Sequence, residues 1–240
     1  FLLLAWFSTF ALAAPENGAS APVAKVRSLE IANKPWKGDF DAMLERRIIR
    51  VAVPYSRSLY FVDKGRERGL SAELIRDFER WVNKKHAKRL GKRPVTVYIV
   101  AATRDRLLPD LEAGLADIAV GNLTVTDERL AIVDFVAPEN EALNTEVLVT
   151  GPTTPEIKTL DDLAGKTVHV RKTSSYHTSL GVLNERLRRA GRAEVKVILV
   201  PEALEDEDML EMLNAGLLSA IVVDDWKAKM WAQVLPKIVV

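Results

Sequence analysis

An α/β fold of two lobes is the architecture that this 240-residue sequence predicts, and three observations carry it. Short apolar runs of strand length alternate with longer stretches whose apolar residues recur at helical spacing, the rhythm of parallel strands covered on both faces by helices. That rhythm halts at an extended stretch over residues 143–150, just before Gly151-Pro152, and then resumes on a smaller scale. With 48% hydrophobic and 28% charged residues, the composition is that of an ordinary globular chain. Its length accommodates two lobes of about 100 residues each.

The elements follow in order. Residues 1–14 form an apolar run too short to span a bilayer, closed by Ala11-Leu12-Ala13 in the small-x-small form of a signal-peptidase site. We expect the remnant of a signal peptide there and an extracytoplasmic, periplasmic protein; a buried N-terminal helix is the alternative. Residues 15–38, with Pro15, Gly18, Ser20, Pro22 and Pro35, read as a flexible leader. Lobe 1 is expected over 39–148 and lobe 2 over 149–240.

Asp39 is a candidate N-cap for a helix carrying Phe40, Met43 and Leu44. Residues 48–53 are a strand ended by Pro54, with Tyr55-Ser56 at its carboxyl edge, and 60–62 a short strand before Asp63-Lys64-Gly65. In 71–85, Leu74, Ile75, Phe78, Trp81 and Val82 mark an amphipathic helix with one buried stripe. Then come a strand at 95–100, a helix at 104–113, and a strand at 116–120 that delivers the segment from Gly121 to Arg129. Residues 136–138 close the first unit. The second lobe reads as a short helix at 160–163, a strand at 168–170, the loop from Thr173 to Tyr176, a helix at 177–190, a strand at 195–200, a helix at 205–214, a strand at 219–223 ending at Asp224-Asp225, and a helix at 226–234.

Several functions find no support. The 34 basic and 33 acidic residues leave a formal charge of +1, so no global field draws in nucleic acid. The basic clusters at 84–89 and 186–189 fall where helices should end. There is no cysteine, and His86, His169 and His177 show no metal-ligand spacing, so neither a metal nor a cofactor is expected. No G-x-G-x-x-G or P-loop occurs, and Ser56, Ser174 and Ser175 lie in no nucleophile elbow. The pair Glu139 and Glu141 sits in a polar loop, and the run from Glu205 to Asp208 reads as an acidic helix start.

In open parallel sheets, the loops beyond the carboxyl ends of the strands form the ligand crevice. Here those loops hold Tyr55-Ser56, Asn122 to Arg129, Thr173 to Tyr176, and Asp224-Asp225. Their chemistry suits a zwitterion. Arg129 can grip a carboxylate bidentately, helped by the hydroxyls of Thr124 and Ser174, while Asp224 accepts from an ammonium and Tyr55 supplies a flat wall. Each residue also has a plain structural reading. Arg129 is equally a helix-terminal arginine paired with Glu128 or Asp134, Thr173 and Ser174 are turn and N-cap residues, one of Asp224-Asp225 caps the next helix, Thr126 is a candidate N-cap, and Tyr55 packs within its lobe.

The segment Asn122-Leu123-Thr124-Val125-Thr126-Asp127-Glu128-Arg129, with Val133-Asp134-Phe135 after it, resembles the signature of family 3 extracellular solute-binding proteins. The resemblance covers roughly residues 48–240 and implies a type II periplasmic-binding-protein-like fold with an interlobe cleft. It also implies that Thr124 and Arg129 hold a ligand carboxylate, that Thr173-Ser174-Ser175 come from the second lobe, that Asp224 binds an amine, and that Tyr55 packs on the ligand. Where many amino-acid binders have glycine, this chain has Ser175, which implies a narrower anion site or a different ligand. Family members continue past the position of Val240, so the fold is expected to be C-terminally truncated. Stretches such as Val53-Pro54-Tyr55-Ser56-Arg57 and Ala102-Thr103-Arg104-Asp105-Arg106-Leu107-Leu108-Pro109 further resemble the regulatory N-terminal module of membrane-bound lytic murein transglycosylase F. That likeness implies a muropeptide as the alternative to an amino-acid ligand, a lysozyme-like domain in the full-length chain, and peripheral association with the outer membrane. The functional expectation is ligand sensing in the cleft; the alternatives are a fragment of a peptidoglycan lytic transglycosylase and a docking module that binds no ligand.

Overall fold

A computed structural model describes residues 33–136 and 144–240. The expected signal remnant, most of the leader, the Glu139 and Glu141 pair and Leu143 lie outside the described residues.

The first lobe runs α1 (Phe40–Arg46), β1 (Ile48–Pro54), β2 (Phe61–Asp63), β3 (Arg66–Arg68), α2 (Leu70–Lys85), α3 (Ala87–Leu90), β4 (Thr96–Ala102), α4 (Arg104–Glu112), β5 (Ile118–Ala119) and α5 (Asp127–Leu130). Strand β1 lies between β4 and β5, all parallel, while β2 and β3 form a separate antiparallel hairpin. Nearly every residue of β1 is buried, the mark of a central strand covered on both faces. Its one long polar residue, Arg50, is fully buried and satisfied by Asp117 at 2.7 Å and by the carbonyls of Lys34, Trp36 and Gly114. The Arg46 guanidinium also lies 3.6 Å from the Trp36 ring centroid. Packing of this lobe thus begins at Lys34–Trp36, ahead of the start expected at Asp39. The apolar stripe of α2 also differs from expectation: Ala72, Ile75 and Val82 are buried, whereas Leu74 and Trp81 are about half exposed. Helical spacing places the last two beside the core-facing row rather than in it.

The second lobe runs β6 (Glu146–Thr150), a 3-10 turn at Leu160–Leu163, β7 (Thr167–Arg171), α6 (Ser175–Arg189), β8 (Lys196–Val200), α7 (Asp206–Asn214), β9 (Ala220–Asp224) and α8 (Asp225–Ala232). Its sheet has the order β6-β9-β7-β8, with β7 parallel to both neighbours and β6 antiparallel to β9. The stretch expected as a plain extended link therefore holds a full sheet strand in this lobe, a stretch rich in Val and Thr being as suited to a paired strand as to a free one. The sheet is mixed, not parallel throughout. Val239 returns to bridge Thr150. Separate apolar clusters fill the two faces of this sheet, one around Met209, Leu210 and Leu213 and the other around Leu180, Leu183 and Leu187.

Both basic clusters lie at helix ends as expected: Lys84 and Lys85 fall in the last turn of α2, and Arg186, Arg188 and Arg189 in the last turn of α6. The strand ends of the two lobes face one another, and hydrogen bonds cross the junction at several points.

Candidate functional site

The segment after β5 reaches the junction because two residues make a tight exit from the sheet. A Cβ on Gly121 would stand 3.0 Å from Leu107 and 3.1 Å from the Pro54 ring, so only glycine fits without displacement. Asn122 then takes φ 51°, the left-handed region that asparagine tolerates better than most residues. Thr126 caps α5 by accepting from the backbone N–H of Arg129 at 3.3 Å, which turns the arginine side chain back toward the turn. Arg129 donates to the carbonyl of Thr124 at 2.7 Å and, across the junction, to the carbonyl of Thr173 at 3.0 Å.

The ion pair to Glu128 or Asp134 that a surface arginine would form is absent among the described residues. Burial, and then the like charge of Arg104, push the Arg129 guanidinium below its ordinary pKa. A desolvated cation held only by carbonyls favours an anionic partner.

From the second lobe, Ser174 is the N-cap of α6: it accepts from His177 N–H at 3.3 Å and donates to the Arg171 carbonyl at 2.8 Å. The Thr173 hydroxyl and N–H are both taken by Glu202, at 2.6 and 3.0 Å. These are the structural roles open to them on sequence. Ser175 differs, since its hydroxyl lies 3.1 Å from that of Thr124 and joins the lobes. Thr124, Arg129, Thr173, Ser174 and Ser175 line one cavity of about 40 Å³ together with Asn122.

Asp224 is almost wholly buried and makes no capping bond to α8; Asp225 instead accepts from Trp226 N–H at 2.7 Å. The Asp224 carboxylate accepts from the side-chain amide of Asn122 in the other lobe, and the nearby Tyr176 hydroxyl favours its ionised form. Burial raises its pKa against the opposing pull of Tyr176 and Lys227, and burial likewise raises that of Tyr176. Tyr55 stands apart: it is 59% exposed and lines neither this cavity nor its larger neighbour. Its loop has instead swung onto the second lobe, where Ser56 donates to Glu207 at 2.5 Å.

Sequence reasoning missed the residues that close the junction. Arg104 donates to both oxygens of Glu205, at 2.9 and 3.0 Å, and to the Gly121 carbonyl at 2.7 Å. Asp206 is buried between Arg171 and Lys227, the latter at 2.6 Å; burial alone would raise its pKa, but Lys227 and Arg171 outweigh that and hold it far below the carboxylate range. The run 205–208 is an acidic helix start with a Glu205 and Asp208 capping box, yet its first three residues are buried partners of the first lobe and the core. Four consecutive acids joined to a run of apolar residues was the available signal. A second cavity of about 720 Å³, lined by Leu59, Leu74, Val125, Phe135 and Trp226, adjoins the first through Asn122 and Leu123. Among the described residues no cluster of His, Cys, Asp and Glu is placed to hold a metal, and no helix is long and apolar enough to cross a membrane.

Comparison with known proteins places this geometry in context. The family model of bacterial extracellular solute-binding proteins, family 3, matches residues 49–228. The L-glutamate/L-aspartate-binding protein of Pseudomonas aeruginosa is 27% identical over 213 residues, covering 88% of this chain and 67% of that protein. The L-cystine-binding protein TcyJ of Escherichia coli K12 is 26% identical over 204 residues, covering 84% and 68%. Among solved structures, the holo form of the T. maritima protein ArgBP superposes with a TM-score of 0.62 at 25% identity, covering 84% of this chain and 79% of that one. An ancestral arginine-binding protein bound to arginine gives 0.58 at 26% identity, covering 81% and 78%. The chain belongs to the family 3 extracellular solute-binding proteins, and its two-lobe fold is the type II periplasmic binding fold.

Proposed function

We propose, taking that family membership as the premise, that the chain binds a small amino acid between its lobes and that Arg129 holds the ligand carboxylate. The observation that carries this reading is the state of Arg129: a half-buried guanidinium facing a cavity and bonded only to carbonyls. Thr124 and Ser175 add hydroxyls beside it, and Asp224 is the acceptor for an ammonium once Asn122 gives way. Similar proteins that carry the names of glutamate, aspartate, cystine and arginine binders support an amino acid as the solute class.

The cavity beside Arg129, about 40 Å³, is smaller than the several hundred cubic ångströms usual for ligand sites, so binding requires the lobes to part and reclose. The body of the ligand would then extend past Asn122 and Leu123 toward the larger cavity. Thermal unfolding against a panel of the twenty L-amino acids, cystine and a muropeptide tests this, because a ligand of the folded state raises the midpoint by mass action. A panel in which nothing shifts the midpoint would leave the docking-module reading in its place.

A finer reading has its own support in the sequence. The stretches around Val53–Arg57 and Ala102–Pro109 resemble the sensing module of a lytic transglycosylase, for which a muropeptide is the matching ligand and the outer membrane the matching location. Reading the gene past the codon for Val240 for a lysozyme-like segment tests it; a stop codon there would reject it.

A further inference from the structure

We infer that Arg104 is a second ligand-contacting cation, which grips the acid group of the bound solute together with Arg129; this rests on the carboxylate-binding reading of the cleft above. Three arginines, Arg104, Arg129 and Arg171, are among the residues that line the small cavity. Arg104 spends its Nε on Glu205 and its Nη1 on the Gly121 carbonyl, while its Nη2, also buried, donates to no atom among the described residues. Arg171, only 2% exposed, spends Nη1 on the Leu204 carbonyl and Nη2 on Asp206, and its buried Nε is likewise without an acceptor. Two buried N–H donors without acceptors among the described residues, on residues that line one cavity and beside a guanidinium with no carboxylate partner, are an arrangement that buried polar groups seldom show unless a partner arrives when the lobes part.

The charges specify the sign of the occupant. Glu205 offsets Arg104, and Asp206 with Asp224 offsets Arg171 with Lys227, which leaves Arg129 without an ion-pair partner and with only the more distant Glu128 carboxylate to counter its charge. One carboxylate balances it. The volume matches too, since about 40 Å³ accommodates one small oxyanion and water takes about 30 Å³ per molecule. Because Arg104 belongs to the first lobe and Glu205 to the second, a solute that engages Nη2 engages a side chain already bridging the cleft, so its acid group binds best when the lobes are shut.

The test sets two probe classes against two substitutions. L-Glutamate, L-arginine and L-cystine are titrated by calorimetry, and sodium formate is titrated by thermal unfolding against sodium chloride at equal ionic strength. Arg104→Lys keeps a cation for Glu205 but lacks the second guanidinium nitrogen. We expect it to weaken whichever amino acid binds the wild type by about tenfold or more and to abolish the formate-specific rise in the unfolding midpoint. Glu205→Gln removes the interlobe ion pair while leaving Nη2 in place; because that pair is buried, stability is expected to fall, while affinity is expected to fall by less than in Arg104→Lys. Wild-type affinity in Arg104→Lys, or an equal loss in Glu205→Gln, overturns the assignment by reducing Arg104 to a strut between lobes. If none of the three amino acids binds the wild type, the amino-acid reading fails for them and the formate arm decides alone. A rise that depends on Arg104 upholds the oxyanion site, and a rise no larger than that from chloride overturns it.

Discussion

The segments Asn122–Arg129 and Glu205–Asp208 meet the same interlobe junction from opposite sides, and they treat charge in opposite ways. In the first, a guanidinium is half withdrawn from water and given only carbonyls. In the second, Glu205 and Asp206 are each withdrawn from water and given a cation, while Glu207 is given the Ser56 hydroxyl and the Ser58 N–H. Burial of a paired charge organises structure, because removing one partner strands the other. Burial of an unpaired charge has no such return and points to a partner from outside the chain. The acidic segment is thus a clamp that sets where the second lobe sits, and the basic one is, on the function proposed above, where a solute is received.

The largest expected effect breaks the clamp. Asp206→Asn leaves Arg171 and Lys227 without their carboxylate and should cost about 3–5 kcal/mol of stability, measured by urea unfolding at neutral pH. The same carboxylate governs the acid side. Its folded pKa is depressed, so its contribution is fully present above the ordinary aspartate value of 3.8 and is lost as pH falls below it. The wild type should therefore lose stability steeply below pH 3.8, whereas Asp206→Asn should show a flatter profile over that window. A parallel pair of profiles would remove the clamp from the comparison.

Arg129→Ala should weaken solute binding by about 2–5 kcal/mol while changing stability little, because it has no ion-pair partner to strand. Calorimetry on the solute found in the thermal panel checks the first part and urea unfolding the second; a large stability loss with affinity intact would make both segments structural. Next in size is Tyr176→Phe, which removes a hydroxyl that favours the ionised form of the buried Asp224 carboxylate and should cost about 1 kcal/mol at neutral pH. Since burial already raises the pKa of Asp224, its ionisation weighs against the fold as pH climbs past the ordinary carboxylate range, and the loss should shrink at pH 4. The smallest effect is expected at the junction's rim. Arg57 pairs with Asp208 and Glu211, all of them roughly 40% exposed or more, so Arg57→Ala should change stability by less than about 1 kcal/mol.

The alternation of strands and helices was legible from residue 48 onward because each element carries its own period and its own punctuation: Pro54 ends β1, Gly121 releases the chain from β5, and Ser174 caps α6. Hence the residues at the strand ends, from Asn122 through Arg129 and from Thr173 to Ser175, could be named before any coordinates, and so could Asp224. Local sequence determines such positions since a turn or a cap is settled within a few residues. Which of those side chains spends its hydrogen bonds within the protein was decided elsewhere. Thr173 is occupied by Glu202, Asp224 by Asn122, and Tyr55 stands aside because its loop docks on Glu207 through Ser56. Arg104 and Glu205 lie 101 residues apart in the chain, and no periodicity or motif connects them. Only the closing of two lobes sets those charges side by side, away from water, where their pairing acquires its strength.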